Sequence, residues 1–215
     1  MGGLMAETRG VRAGREGFGQ GLREAKKRQV RRSLLGSAVE LFEERGFEAT
    51  RIRDITERAE VSHATFFNYF AGRDGLASEW IHEQLDQVFE ESADGAQSGP
   101  LRPSVRRGLS RWSSWLEERS DWLVDIWSRC RHVSEEAFPG AQRLVAEAQA
   151  RGELRRDLPP EQLGPLLGSV AQGAVAGWLS RPVRDEPLDR YLLRAVDLVL
   201  DGARRRNERV QPTKR

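Results

Sequence analysis

The chain has 215 residues, 38% hydrophobic and 32% charged, which is enough for a proper core and an ordinary soluble composition. A single cysteine, Cys130, excludes an internal disulfide, and the opening MGGLMAETRG lacks the apolar stretch of a secretion signal, so a reducing cytoplasm is the expected setting. Net charge is only +2, yet residues 1–32 carry nine Lys/Arg against three Glu. An anionic partner and a plain basic tail fit that imbalance equally well.

Residues 1–21 are glycine-rich without apolar periodicity and read as a flexible tail. From Leu22 a helical pattern begins, with Val30, Leu34, Ala38, Leu41 and Phe42 on one face. It stops at Gly46, a residue suited to the left-handed position past a helix end. Thr50 reads as the N-cap of RIRDITERA, whose apolar stripe is Ile52, Ile55 and Ala59, and Ser62 as the cap of the helix that follows in VSHATFFNYF. Two short capped helices behind a longer one make a helix-turn-helix. Phe66 and Phe70, four apart, belong on its core side, with His63, Phe67 and Asn68 on the other side or its flank.

A fourth helix is expected from about Arg73 to Phe89, with Leu76, Trp80, Leu85, Val88 and Phe89 inward. ESADGAQSGP reads as a loop. Helices follow at roughly 103–118, 120–131, 134–152, 160–180 and 187–206, and no window alternates as a strand would. The fold class is therefore all-α: a tail over 1–21, a three-helix helix-turn-helix domain over 22–76, and a helical domain over 77–215.

Five of the six tryptophans lie beyond residue 100. Trp112, Trp115, Trp122, Trp127 and Trp178 fit core packing, and they fit equally the aromatic wall of a cavity for an apolar ligand. The stretch 162–180 carries no charge, but its four glycines, proline, glutamines and serines make it a poor match to hydrocarbon. Gly164 and Gly168, and likewise Gly173 and Gly177, are four apart and would let another backbone approach. Beside it stand Leu188, Leu192, Ala195, Val196 and Val199 of the last helix. Two such helices from each of two chains would form a four-helix interface.

Together these residues resemble the DNA-binding domain of the TetR family of transcriptional regulators. The resemblance covers roughly residues 27–80 and is carried by Leu41-Phe42, Gly46-Phe47, Thr50, Ile55, Val61-Ser62, Thr65, Tyr69-Phe70, Arg73 and Leu76. Three positions depart from the family pattern. Glu60 stands where a glycine is common, Thr56 where a small alanine is common, and Phe67 where many members have a phosphate-bonding tyrosine. The resemblance makes 77–215 a ligand-binding and dimerisation domain.

Thr50, Ser62, Thr65, Tyr69 and Arg73 are the expected phosphate contacts, because capping hydroxyls, helix N-termini and cations suit anions. His63, Ala64 and Asn68 are the expected base readers: His to guanine, Ala to a thymine methyl, Asn to adenine. Phe67 offers only apolar contact. Arg51 and Arg53 reach backbone or a base edge, and Lys26, Lys27 and Arg28 can form an arm.

No catalytic, metal or cofactor site is expected. Glu79 to His82 is a lone E-x-x-H without the second copy that carboxylate-bridged metal bundles need, and Cys130 with His132 is too little for zinc. The expected protein is a homodimeric repressor of a palindromic operator, released by a small apolar or aromatic effector. Trp112, Trp115, Trp122, Trp127, Phe138 and Gln172 are the candidate wall. An effector-free regulator and an activator stay open at this stage, with a helical enzyme holding a pocket in the C-terminal domain as a minor alternative.

Overall fold

A computed structural model of the chain describes residues 7–97, 99–129 and 138–204. Among them run α1 (Glu7–Arg45), α2 (Ile52–Arg58), α3 (His63–Phe67), α4 (Arg73–Gln97), α5 (Leu101–Glu117), α6 (Ser120–Arg129), α7 (Pro139–Ala150), α8 (Pro160–Leu179) and α9 (Leu188–Gly202). Extended pairing among the described residues is confined to an isolated bridge between Leu154 and Arg204. The all-α expectation holds. Two compact units divide the chain, Met1–Leu76 and Ala77–Arg215.

In the first unit, Leu34, Leu35, Ala38, Leu41 and Phe42 of α1 are buried together with Phe47, Ile55, Phe66 and Phe70. Gly46 ends the helix at φ +83°, a conformation an L side chain resists. Phe47 then turns back so that its ring lies 5.0 Å from that of Phe42. One correction concerns the start of α1. The helix reaches back to Glu7, well ahead of Leu22, into the segment read as a tail. A helix once formed elongates at one hydrogen bond per residue, and the Arg, Glu and Gln residues between the glycines favour it.

In the second unit, residues 91–97 of the expected loop at 91–100 are instead the last two turns of α4. Ala93 and Ala96 there are fully buried. A Cβ at Gly95 would stand 2.8 Å from Ser104 Oγ of α5, and one at Gly108 of α5 would stand 2.8 Å from Ser92 Oγ of α4. Small residues that suggest a loop are here what two helices need to approach closely. Asp86 of α4 accepts the Gly140 N–H at 2.8 Å and so caps α7. Burial raises its carboxyl above the ordinary range, opposed by these amide hydrogen bonds. Arg143 of α7 in turn bridges Glu90 and Asp94 of α4.

The absence of charge in α8 from Gln162 onward is explained by what surrounds it. Leu163, Leu167, Ala171, Val175 and Trp178 are buried, and the Trp178 indole N–H donates to Glu186 O at 2.8 Å. No helix among the described residues is long and apolar enough to cross a membrane. The glycine pairs separate between two faces. Gly164 lies against the Gln142 backbone and Gly168 against the Phe138 ring, whereas Gly173 faces open space and Gly177 lies near the Tyr191 hydroxyl.

Candidate nucleic-acid interface

Helix α3 has five residues, too few to persist alone, and its order comes from its ends and its buried face. The Ser62 hydroxyl accepts the Thr65 N–H at 3.1 Å and shares a 2.8 Å hydrogen bond with the Thr65 hydroxyl. Phe66 is fully buried, and Phe70, at 2% exposure, packs beside it at 5.6 Å. Arg31 of α1 holds its guanidinium 5.6 Å from the Phe70 ring. What remains outward is His63, Ala64, Phe67 and Asn68, all exposed.

The Phe67 ring, about half exposed, meets the His63 imidazole edge-on at 5.1 Å and Phe66 at 5.4 Å. It is therefore braced from both sides, and it limits the directions the imidazole can take. Tyr69 is half-buried on the flank.

The turn between α2 and α3 is a Schellman motif. Val61 N–H donates to Thr56 O at 3.0 Å and Glu60 N–H to Glu57 O at 3.2 Å, which places Glu60 in the left-handed region at φ +55°. The departure from glycine leaves the turn geometry in place and carries the strain of a side chain there. Glu60→Gly is expected to stabilise the unit by ~0.5–1 kcal/mol, checked by urea unfolding.

Two expected phosphate contacts take other roles. Thr50 is fully buried. Its hydroxyl donates to Gly46 O at 2.9 Å and Leu41 O at 3.3 Å, serving carbonyls at the end of α1. The N-cap of α2 is Arg51, whose backbone N–H is taken by the Asp54 carboxylate at 2.9 Å. Asp54 stands at the third helical position, where a carboxylate reaches back best, so Thr50 is free to turn inward.

Arg73 is the second correction. Its guanidinium donates to Phe47 O at 2.8 Å, Thr50 O at 2.7 Å and Glu48 O at 3.3 Å, and lies 4.1 Å from the centre of the Phe47 ring. It clamps the loop between α1 and α2. The arginines of α2 also differ from each other. Arg53 is tied to Glu57 at 2.6 Å, whereas Arg51 is exposed with no carboxylate paired to it among the described residues. Lys26, Lys27 and Arg28 are exposed on α1.

The candidate effector wall divides as well. Trp115 and Trp122 gather on Trp80 at 5.5 and 5.8 Å, forming a three-ring cluster. Trp112 and Trp127 are buried and paired at 6.5 Å. Phe138 is buried, stacked on His82 at 4.1 Å. His82 was missed as a wall residue, though its spacing of three and seven from Leu85 and Phe89 places it near the buried face.

Two open cavities, of about 720 and 590 Å³, lie elsewhere, the first by Ser92, Ser104 and Leu193 and the second by Pro100 and Leu200. None of the candidate wall residues lines either. No group of three metal-ligating side chains occurs among the described residues. Cys130 and His132 lie outside them.

A family described as bacterial regulatory proteins, tetR family, matches residues 34–79, the end of α1 through the start of α4. The HTH-type transcriptional regulator TcmR of Streptomyces glaucescens is 42% identical over 187 residues, covering 78% of this chain and 80% of that protein. The chain belongs to the TetR family. It is a DNA-binding transcriptional regulator, with the helix-turn-helix domain followed by a helical domain.

A second TetR-type relative, the HTH-type transcriptional repressor DhaR of Mycobacterium sp. (strain GP1), is 25% identical over 185 residues, covering 80% of this chain and 92% of its own. The crystal structure of Thermus thermophilus FadR, a TetR-family repressor in complex with lauroyl-CoA, shares the fold. Its TM-score is 0.63 at 23% identity, over 84% of this chain and 98% of that one.

Proposed function

We propose that this regulator is a ligand-responsive repressor that binds a (pseudo)palindromic operator as a homodimer. The observation that carries DNA reading is the outward face of α3, where His63, Ala64, Phe67 and Asn68 stand exposed on a helix anchored by Phe66. His63 donates to guanine, Ala64 touches a thymine methyl, and Asn68 pairs with adenine. Ser62, Thr65, Tyr69 and Arg51 hold phosphates, with Arg53 beside them and the Lys26–Arg28 run as an arm. Phe67 makes apolar contact and steadies His63.

Dimerisation is assigned to the outer faces of α8 and α9, where Leu166 is 50% and Leu198 75% exposed and Gly173 faces open space. Apolar side chains around a bare backbone position suit a second copy of the same surface. Two recognition helices would then enter successive major grooves about 34 Å apart. Repression and release are supported by the names of the relatives: DhaR is a repressor, and the Thermus FadR repressor was crystallised with lauroyl-CoA. An effector among Trp112, Trp127, Phe138 and Gln172 needs only ~1–3 kcal/mol of preference for the non-binding conformation.

Selection from a randomised DNA pool at two salt concentrations tests the reading. A palindrome with two half-sites is the expected result, and salt-sensitive binding without an enriched sequence overturns it. On the selected operator, Asn68→Ala is expected to relax preference at one base position by ~1–3 kcal/mol. Arg51→Ala is expected to weaken binding to all sequences alike and to lower the salt slope by about one.

A further inference from the structure

Four polar atoms in the second unit are sealed from solvent without a hydrogen-bond partner among the described residues: Trp112 Nε1, Gln172 Oε1, His82 Nδ1 and Glu147 Oε2, the last on a carboxylate whose other oxygen accepts from Arg143. The Trp112 and Gln172 side chains belong to residues only 6% and 9% exposed. A buried polar group left unpaired is costly, and native chains pair nearly all of them. Here the first three come from α5, α8 and α4, and Trp112 and His82 each lie against an aromatic ring.

Trp112 lies against Trp127. His82 stacks on Phe138. Phe138 in turn presses on the bare backbone of Gly168, one helical turn before Gln172 on α8. The chemistry of the set is complementary. An indole N–H only donates, an amide oxygen only accepts, and an imidazole nitrogen does either.

We propose that these atoms are the polar contacts of the effector, and that the effector is an apolar or aromatic molecule carrying both a carbonyl-type acceptor and a hydroxyl donor. The acceptor takes the Trp112 N–H, the hydroxyl donates to Gln172 Oε1, and the His82 imidazole meets either group. The aromatic rings receive the ligand's body. The proposal rests on the ligand-responsive reading above, and it adds which atoms recognise the ligand and what the ligand must offer them.

The test uses the full chain as wild type, Gln172→Leu and Trp112→Phe, with 2-hydroxy-1,4-naphthoquinone as the probe and naphthalene as its apolar counterpart. Thermal unfolding without probe is expected to show Gln172→Leu at least as stable as wild type, because it removes an unpaired buried atom and keeps its bulk, whereas Trp112→Phe leaves a small cavity beside Trp127 and loses some stability. Titration followed by tryptophan fluorescence is expected to show the hydroxyquinone binding wild type at least tenfold more tightly than either variant, and more tightly than naphthalene.

Variants that bind the probe as wild type does overturn the assignment of contacts. A wild type that ignores the probe, or prefers naphthalene, overturns the ligand class. A Gln172→Leu variant that loses stability without probe shows the amide to be serving the fold itself and overturns the proposal too. Probe binding as expected, with operator affinity unmoved by saturating probe, supports the site and sinks the reading that its occupant releases DNA.

Discussion

Arg73→Ala is expected to lower the unfolding free energy of the first unit by ~2–4 kcal/mol. Its guanidinium supplies the loop between α1 and α2 with donors for the Phe47, Glu48 and Thr50 carbonyls, and because the three share one nitrogen at a partly exposed loop, where water replaces part of what is lost, together they are worth ~1.5–3 kcal/mol. The stacking on Phe47 at 4.1 Å is lost with them, which adds ~0.5–1 kcal/mol. All three carbonyls are met by one guanidinium nitrogen, so what lysine cannot replace is the flat stacking on the Phe47 ring.

The effect on DNA binding separates the clamp from a phosphate contact. A residue that neutralises a phosphate takes about one unit from the slope of log K against log salt when it is removed. With Arg73→Ala the slope is expected to stay as it is, with affinity falling only as the folded fraction falls. Urea unfolding and operator titration at several salt concentrations check this together. A stable variant with a slope shallower by one would return Arg73 to the phosphate backbone.

Arg73 also shows where a sequence stops being legible. The helices, the caps at Ser62 and Gly46 and the burial of Phe66 and Phe70 follow from spacing and local chemistry, and they were readable. Thr50 and Arg73 were readable as polar residues at helix starts, but their partners are carbonyls 4 to 26 positions away. Nothing local says that a hydroxyl turns inward. The segment 91–100 failed for the opposite reason, since its Ala, Ser and Gly residues carry little signal until α5 packs against them. His82 and Gln172 read as unremarkable polar residues, and only the surrounding rings make their unpaired atoms conspicuous. Glu60 was readable as a departure from glycine, and the left-handed position that makes it strained is a property of the turn itself.

The four glycines of α8 supply the other large expected effect, and a contrast within one helix. Gly168→Ala places a Cβ 2.3 Å from the Phe138 ring. That ring is itself buried, packed between His82 and Phe89, so it has little room to retreat. A loss of ~3 kcal/mol is expected from the overlap, outweighing the ~1 kcal/mol that alanine gains over glycine in a helix.

Gly173→Ala, five residues on, meets nothing within 4 Å. It is expected to raise the stability of an isolated chain by ~0.5–1 kcal/mol. Thermal unfolding of the two variants side by side checks the pair. Gly173→Arg then asks what covers that face. If a second copy packs there, a long charged side chain in place of a bare backbone is expected to shift the protein toward monomer in sedimentation, with the monomer still folded. Loss of the dimer would in turn cost operator affinity far more than half-site affinity, because each half-site would have to be held alone. A variant that stays dimeric would move the interface off this face of α8.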